Sequence, residues 1–228
     1  MSTPTGSTES GAGADPPVVL GDRSEHTRRL ASAIAAGAVV EVPAPTPEAT
    51  SWEWAWKPVL ASWRAETRRR EPAGSVVVCA WPRAVERVGL LEQTATDWRS
   101  VEVELARWTT ALQLAGELCR DGGAIVLVTE LPCALDSVGL VPLVGLSQGL
   151  IAFTRSIASA EGARDVRANS VTTQLWSTPP EITGSAPFLP SYPGGIEREV
   201  AGAVRMLLSS DASGVTGCVL PADGGRTW

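Results

Sequence analysis

The stretch DGGAIVLVT, residues 121–129, decides the fold. From Ala124 to Thr129 it is a continuous apolar, β-branched run, too short for a helix and suited to a strand buried on both faces. Before it, Trp98 to Arg120 predicts a long amphipathic helix that DGG ends, and after it Leu143 to Ser159 predicts another. Helix, buried strand and helix in succession build a parallel sheet. The same rhythm extends outward in both directions. PVVL at 17–20 predicts a strand, HTRRLASAIAAG at 26–37 a helix stopped at Gly37, and AVVEV at 38–42 a strand. Trp52 to Arg70 predicts a helix with Pro58 near its start, and SVVVCAW at 75–81 a second buried strand. VRANSV at 166–171 predicts another strand, Glu197 to Leu208 a late helix, and GVTGCVLPADGG a closing strand and turn. About six strands interleaved with helices make an α/β fold with a doubly wound parallel sheet.

Composition excludes several classes of function. The 228 residues suffice for one sizeable core, and 44% hydrophobic with 19% charged residues is ordinary for a folded domain. A net charge of −6, with Arg68, Arg69 and Arg70 as the one tight basic run, lacks the footprint of a nucleic-acid binder. Cys79, Cys119, Cys133 and Cys218 are scattered and His26 is the single histidine, so a metal site is not expected and the thiols read as reduced and cytoplasmic. No apolar run in the sequence suggests a membrane span, and the opening MSTPTGSTESGAGADPP lacks the order of a signal peptide. Residues 1–15 are expected to be a disordered tail, with residues 16–228 forming a single domain.

Five pieces in order carry a resemblance that periodicity does not supply. They are Asp97 and Trp98 opening a long helix, GGAIVLVT at 122–129, GLIAFTRSIASAEGA at 149–163, VRANSV at 166–171 and VTGCVLPADGG at 215–225. Together they resemble the short-chain dehydrogenase/reductase family, in its ketoacyl-reductase-like branch. The resemblance covers Asp97 to Gly225 well, and the earlier part by its rhythm alone. It implies a Rossmann-like sheet, here shortened in its N-terminal half: between the second strand and SVVVCAW, one βα unit of about 30 residues looks deleted or merged.

The family's chemistry uses a tyrosine, a lysine four residues on, a serine and an asparagine. The Y-x-x-x-K spacing sets the cation beside the phenol on one helix face, where it favours the ionised form. Carried over, the tyrosine position is Leu143, the lysine position Ser147, the serine position Glu130 and the asparagine position Glu104. The chain has one tyrosine, Tyr192, and one lysine, Lys57, both in the wrong elements, so no shift of register rebuilds the motif. The family's T-G-x-x-x-G-x-G reads LGDRSEHT at 20–27, leaving Gly21 and putting Glu25 and Thr27 at the later glycine positions. Asp22 or Ser24 then reads as a helix cap. Trp81 stands where a glycine admits the adenosine half, and Thr173 and Gln174 where a Pro-Gly shapes the nicotinamide pocket, with Trp176 close behind.

These departures imply a pseudoenzyme that binds no cofactor and is no enzyme on its own. The matching expectation is a noncatalytic subunit assembled, as a dimer or heterotetramer, with an active homologous subunit, an NAD(P)-dependent β-hydroxyacyl dehydrogenase or ketoacyl reductase. The partner surface is expected on the two long helices, at Leu105, Trp108, Leu112, Leu146, Leu150, Phe153 and Ile157. Two alternatives stand beside it. One is a ligand-binding or regulatory module using the old cleft, suggested by Trp52, Trp54, Trp56 and Trp63. The other is an oxidoreductase with an unconventional site around Glu130, where burial would raise a carboxyl pKa. The arginine-rich, lysine-poor usage points to a bacterial source.

Overall fold

The computed structural model describes residues 15–45, 57–81, 87–132, 138–174, 188–189 and 195–226. The expected tail lies outside them except for Asp15, whose carboxylate pairs with Arg120 at 2.6 Å. The elements in chain order are β1 (Val18–Gly21), α1 (Glu25–Ala33), β2 (Ala38–Glu41), α2 (Lys57–Thr67), β3 (Ala73–Ala80) and α3 (Ala95–Leu118). They continue with β4 (Cys119–Glu130), α4 (Val141–Ala160), β5 (Arg167–Thr173), α5 (Ala201–Leu208) and β6 (Val219–Pro221). All strand pairs are parallel, in the order β2-β1-β3-β4-β5-β6. The chain winds outward to β2, then returns across β1 to β3, so the topological switch point lies between β1 and β3.

Side-chain alternation along the strands feeds two cores. On one face Leu20, Val76, Val78, Ile125 and Leu127 meet Trp108, Leu112 and Leu114 of α3 and Leu146, Leu150 and Ile157 of α4. On the other, Val19, Val77, Cys79, Val126, Val128 and Val171 meet Leu30 and Ile34 from the α1 region and Val204 and Leu207 of α5. Both faces of the central strands are therefore dry, as the unbroken apolar runs predict. A fully buried Leu or Val side chain contributes about 1.5–3 kcal/mol, so these two layers dominate the stability.

The helix ends follow local chemistry. Ser24 caps α1 by accepting from the Thr27 N–H. Thr94 and Asp97 form a reciprocal capping box at the start of α3, and the Thr94 N–H holds the Asp97 carboxyl below its usual range. Pro58 and Pro142 lie in the first turns of α2 and α4, where a missing N–H costs nothing. Two boundaries differ from expectation. α1 ends earlier than Gly37, with Ala35 in the left-handed region at φ 52°. DGG does not end α3: β4 begins directly at Cys119, and DGG forms an irregularity in that strand, where the register to β3 shifts. Gly122 there has φ 73°, and a Cβ on Gly123 would come within 2.5 Å of the Cys119 sulfur.

The late helix likewise divides, a π turn at Ile196–Val200 preceding α5. Arg29 of α1 binds Glu197 in that turn with two hydrogen bonds, tying the start of the chain to its end. α4 is long and apolar enough to cross a membrane by length and composition alone. Packing accounts for that composition, since Leu146, Leu150, Ile151, Thr154 and Ile157 are buried against the sheet and α3.

Candidate functional site

Doubly wound sheets bind ligands outside the carboxyl ends of their strands. Two clusters of polar residues occupy that edge here, one at β1 and β3, the other at β4 and β5.

At β4 and β5 the register pairs Thr129 with Thr172 and Glu130 with Thr173. Paired residues of a parallel ladder share a face, so Thr129 and Thr172 lie with Ile125 and Leu127 on the α3/α4 side, and Glu130 and Thr173 on the α1/α5 side. All four are at most 4% exposed, and Gln174, next in the chain, is 2% exposed. The hydroxyls of Thr129, Thr172 and Thr173 and both amide atoms of Gln174 are buried with no hydrogen-bond partner. Such groups are rare in folded proteins because each forfeits its hydration. A carbonyl or hydroxyl of a bound molecule would satisfy them. Thr129 directly after Ile-Val-Leu-Val is the available sequence signal, and by itself it reads as the end of a strand.

α4 supplies the other wall. Leu143 is buried, and Ser147 one turn on is fully buried and donates its hydroxyl to the Glu130 backbone carbonyl. The tyrosine and lysine positions thus sit against the end of β4 with an apolar side chain and a hydroxyl, whereas the carboxyl at the serine position, Glu130, lies on the opposite face of the sheet. Glu104 belongs to a different cluster. Its carboxylate pairs with Arg107 at 3.4 Å and accepts from the Trp108 indole N–H at 2.9 Å. Arg107 also donates to the Val42 carbonyl just beyond β2 and lies over the Trp108 ring. This buried ion pair anchors α3 to the edge of the sheet.

The crevice between β1 and β3 is filled by the chain itself. Asp22 Oδ1 accepts from the Ser24 N–H at 3.1 Å, the Ser24 hydroxyl at 2.5 Å and the Thr27 hydroxyl at 2.7 Å. The Trp81 indole N–H donates to Thr27 Oγ1 at 3.0 Å. Trp81 is 5% exposed and Thr27 fully buried. His26 meets the Trp81 ring edge-on, and burial, followed by the neighbouring Arg29, lowers its pKa. Gly21 is required by this packing, since a Cβ there would come within 2.5 Å of the Thr27 methyl. Glu25 lies exposed in the first turn of α1. Trp176 lies outside the described residues, as do Tyr192, Cys133, Trp52, Trp54 and Trp56. The nicotinamide dinucleotide implied by the family resemblance does not fit this crevice, because the pyrophosphate position at the α1 N-terminus is occupied by side chains.

The partner surface needs correction. Trp108, Leu112, Leu146, Leu150 and Ile157 are at most 8% exposed within this chain alone, because their faces of α3 and α4 point at the sheet. Leu105 and Phe153 are half-buried. The outward strip of these helices instead carries Leu105, Phe153 and Val101 with Gly145, Gly149 and Ala152. Among the described residues no cluster of His, Cys, Asp and Glu could hold a metal ion.

Fold and strand-edge clusters define an α/β protein of the doubly wound, Rossmann-like class. The family model described as enoyl-(acyl carrier protein) reductase matches residues 18–227, and the chain belongs to the short-chain dehydrogenase/reductase family. Among curated relatives it is 29% identical over 176 residues to the 3-oxoacyl-(acyl-carrier-protein) reductase MabA of Mycobacterium avium, covering 71% of this chain and 68% of that one. It is 26% identical over 151 residues to the corresponding reductase FabG of Chlamydia pneumoniae, covering 61% and 60%. A short-chain dehydrogenase/reductase of Botryotinia fuckeliana, aba4, is 26% identical over 158 residues, and this chain spans 61% of its length. Among solved structures, a Brucella melitensis short-chain dehydrogenase/reductase superposes with a TM-score of 0.70 at 17% identity, over 94% of this chain and 98% of that one. One from Mycobacterium ulcerans gives 0.66 at 22%, over 94% and 90%.

Family membership corrects the expectation that the chain is no enzyme on its own. The family-model match runs through nearly the whole chain, and the relatives carry reductase names, so the chain stands among oxidoreductases.

Proposed function

We propose that this chain is a subunit of a short-chain oxidoreductase acting on ketoacyl or hydroxyacyl thioesters, assembled with a homologous subunit through the outward strip of α3 and α4. The kinship with 3-oxoacyl-(acyl-carrier-protein) reductases carries the reading, since their substrate is a ketoacyl group. The strand-edge cluster supports it. Reducing a 3-oxo group to a hydroxyl takes a hydride, supplied by a dinucleotide held in the homologous subunit, and a proton on the carbonyl oxygen, for which Glu130 is the candidate donor in this chain. The unpartnered hydroxyl of Thr173, on the same face as Glu130, and the Gln174 amide next to it in the chain suit an oxygen-bearing substrate. On the helices, Gly145 and Gly149 bring α4 close to Trp98 and Leu105 of α3, and Leu105 and Phe153 remain half-buried there.

The test is to coexpress the chain with reductases encoded beside its gene, purify through a tag on this chain, and measure mass and NADPH-dependent turnover of an acetoacetyl thioester. A fixed-ratio assembly with turnover is expected. Glu130→Gln should lower that turnover by about 10²-fold or more if Glu130 moves the proton. Full activity in that variant removes Glu130 from the chemistry. No assembly and no turnover with any such reductase refutes the proposal.

A further inference from the structure

We propose that Asp22 is a built-in substitute for a pyrophosphate, and that Trp81, locked to it through Thr27, keeps the β1/β3 crevice of this chain closed to dinucleotides. A helix N-terminus at a switch point attracts an anion because its first N–H groups lack intrahelical acceptors. Here the anion is the chain's own. Three donors from the loop and first turn converge on one oxygen of Asp22, and the Thr27 N–H is taken by Ser24 Oγ. A phosphate entering this space would meet a carboxylate already holding its donors.

The closure is directional as well as steric. The indole N–H of Trp81 donates to the Thr27 hydroxyl, whose own proton goes to Asp22, so every donor in the chain finds an acceptor and the relay ends on a charge. The Thr27 methyl lies in the volume above Gly21 that a close backbone approach to phosphate needs, and the Trp81 ring fills the next volume along β3. Asp22 holds the charge, Thr27 the junction and Trp81 the bulk.

The purified full-length chain should show no saturable binding of NADPH at concentrations up to about 1 mM, the weak end of specific affinities. Asp22→Gly combined with Thr27→Gly and Trp81→Gly should tighten binding by about tenfold or more. Saturation of the unaltered chain at micromolar NADPH overturns the proposal, and so does a triple variant with a native circular dichroism spectrum that binds no better. Thr27→Val preserves shape and serves if the triple variant does not fold. Cutting the relay should free the indole and raise acrylamide quenching of tryptophan emission, and unchanged quenching overturns the relay. The inference does not depend on the thioester reading: an assembly that turns over thioester with a dinucleotide held by the homologous subunit leaves it standing.

Discussion

Arg107→Met should lower the unfolding free energy by about 3–5 kcal/mol, the cost of breaking a buried ion pair from one side. The guanidinium is 3% exposed, pairs with Glu104 at 3.4 Å, donates to the Val42 carbonyl at 2.8 Å and sits 4.4 Å above the Trp108 ring centroid. Loss of the carbonyl bond is worth about 1 kcal/mol and of the ring contact about 0.5–2. The larger effect is the Glu104 carboxylate, 6% exposed, left without this counter-ion. For a chain of this size the melting temperature should fall by about 10 °C, at roughly 2–4 °C per kcal/mol. The decisive companion is Glu104→Leu with Arg107→Met. Replacing both charges removes the uncompensated one, so the pair should be less destabilised than Arg107→Met alone. Urea unfolding of the three proteins measures this. A single variant within about 1 kcal/mol of the parent, or a double variant at least as unstable as the single, refutes the argument.

Four further outcomes follow from the packing. Glu117 is held by Arg68 and Arg64, which bring its carboxyl down from 4.5 to about 2. Its folded value lies below its unfolded one, so the stabilisation is present above pH 4.5 and lost as pH falls toward 2. Glu117→Gln should cost about 1 kcal/mol at pH 7, discounted for solvent exposure, and progressively less in acid; a cost independent of pH contradicts this. Leu150→Ala should cost about 2–5 kcal/mol by opening a cavity in the α4 core, read by urea unfolding. Phe153→Asp should leave the folded chain intact while lowering the mass of any assembly seen by light scattering. Burial pushes the Cys79 thiol well up and the Cys119 thiol to about 11, so neither should react with iodoacetamide at pH 8 until the protein unfolds. Peptide mapping after labelling checks that expectation, and alkylation of native Cys79 would contradict it.

The strands were legible because burial on both faces leaves a pattern that needs no tertiary information: VVLG, VVVCA and AIVLV are unbroken runs without a polar side chain. The long helices were legible from their periodicity. Their partner faces were not. A stripe such as Trp108, Leu112, Leu146 and Leu150 is what a sheet-covering helix needs, and nothing in its spacing distinguishes a sheet from a second subunit. The DGG turn was misplaced because glycines that end a helix also permit a bulge, and only the pairing of β3 with β4 decides between them. At the switch point, the sequence displayed bulky residues at glycine positions but not their hydrogen bonds. Thr27 and Trp81 are 54 positions apart, and their contact depends on β1 and β3 being neighbours. Thr129 and Thr172 were missed for a similar reason, since polar residues at a strand end look solvated until the neighbouring strand covers them, while Gln174 stood out only as a departure from the Pro-Gly.

The sheet ends at β6, a three-residue strand closed by Pro221. An open sheet edge is ordinarily a template on which another chain can polymerise, amide by amide. Proline brings no amide, and three residues are too few to fix a register, so an incoming strand has little to grip. Crowded copies of this protein, newly made and side by side, are therefore guarded at this border against zipping into fibrils. Pro221→Val would remove that guard, and seeded thioflavin fluorescence of concentrated protein would reveal it.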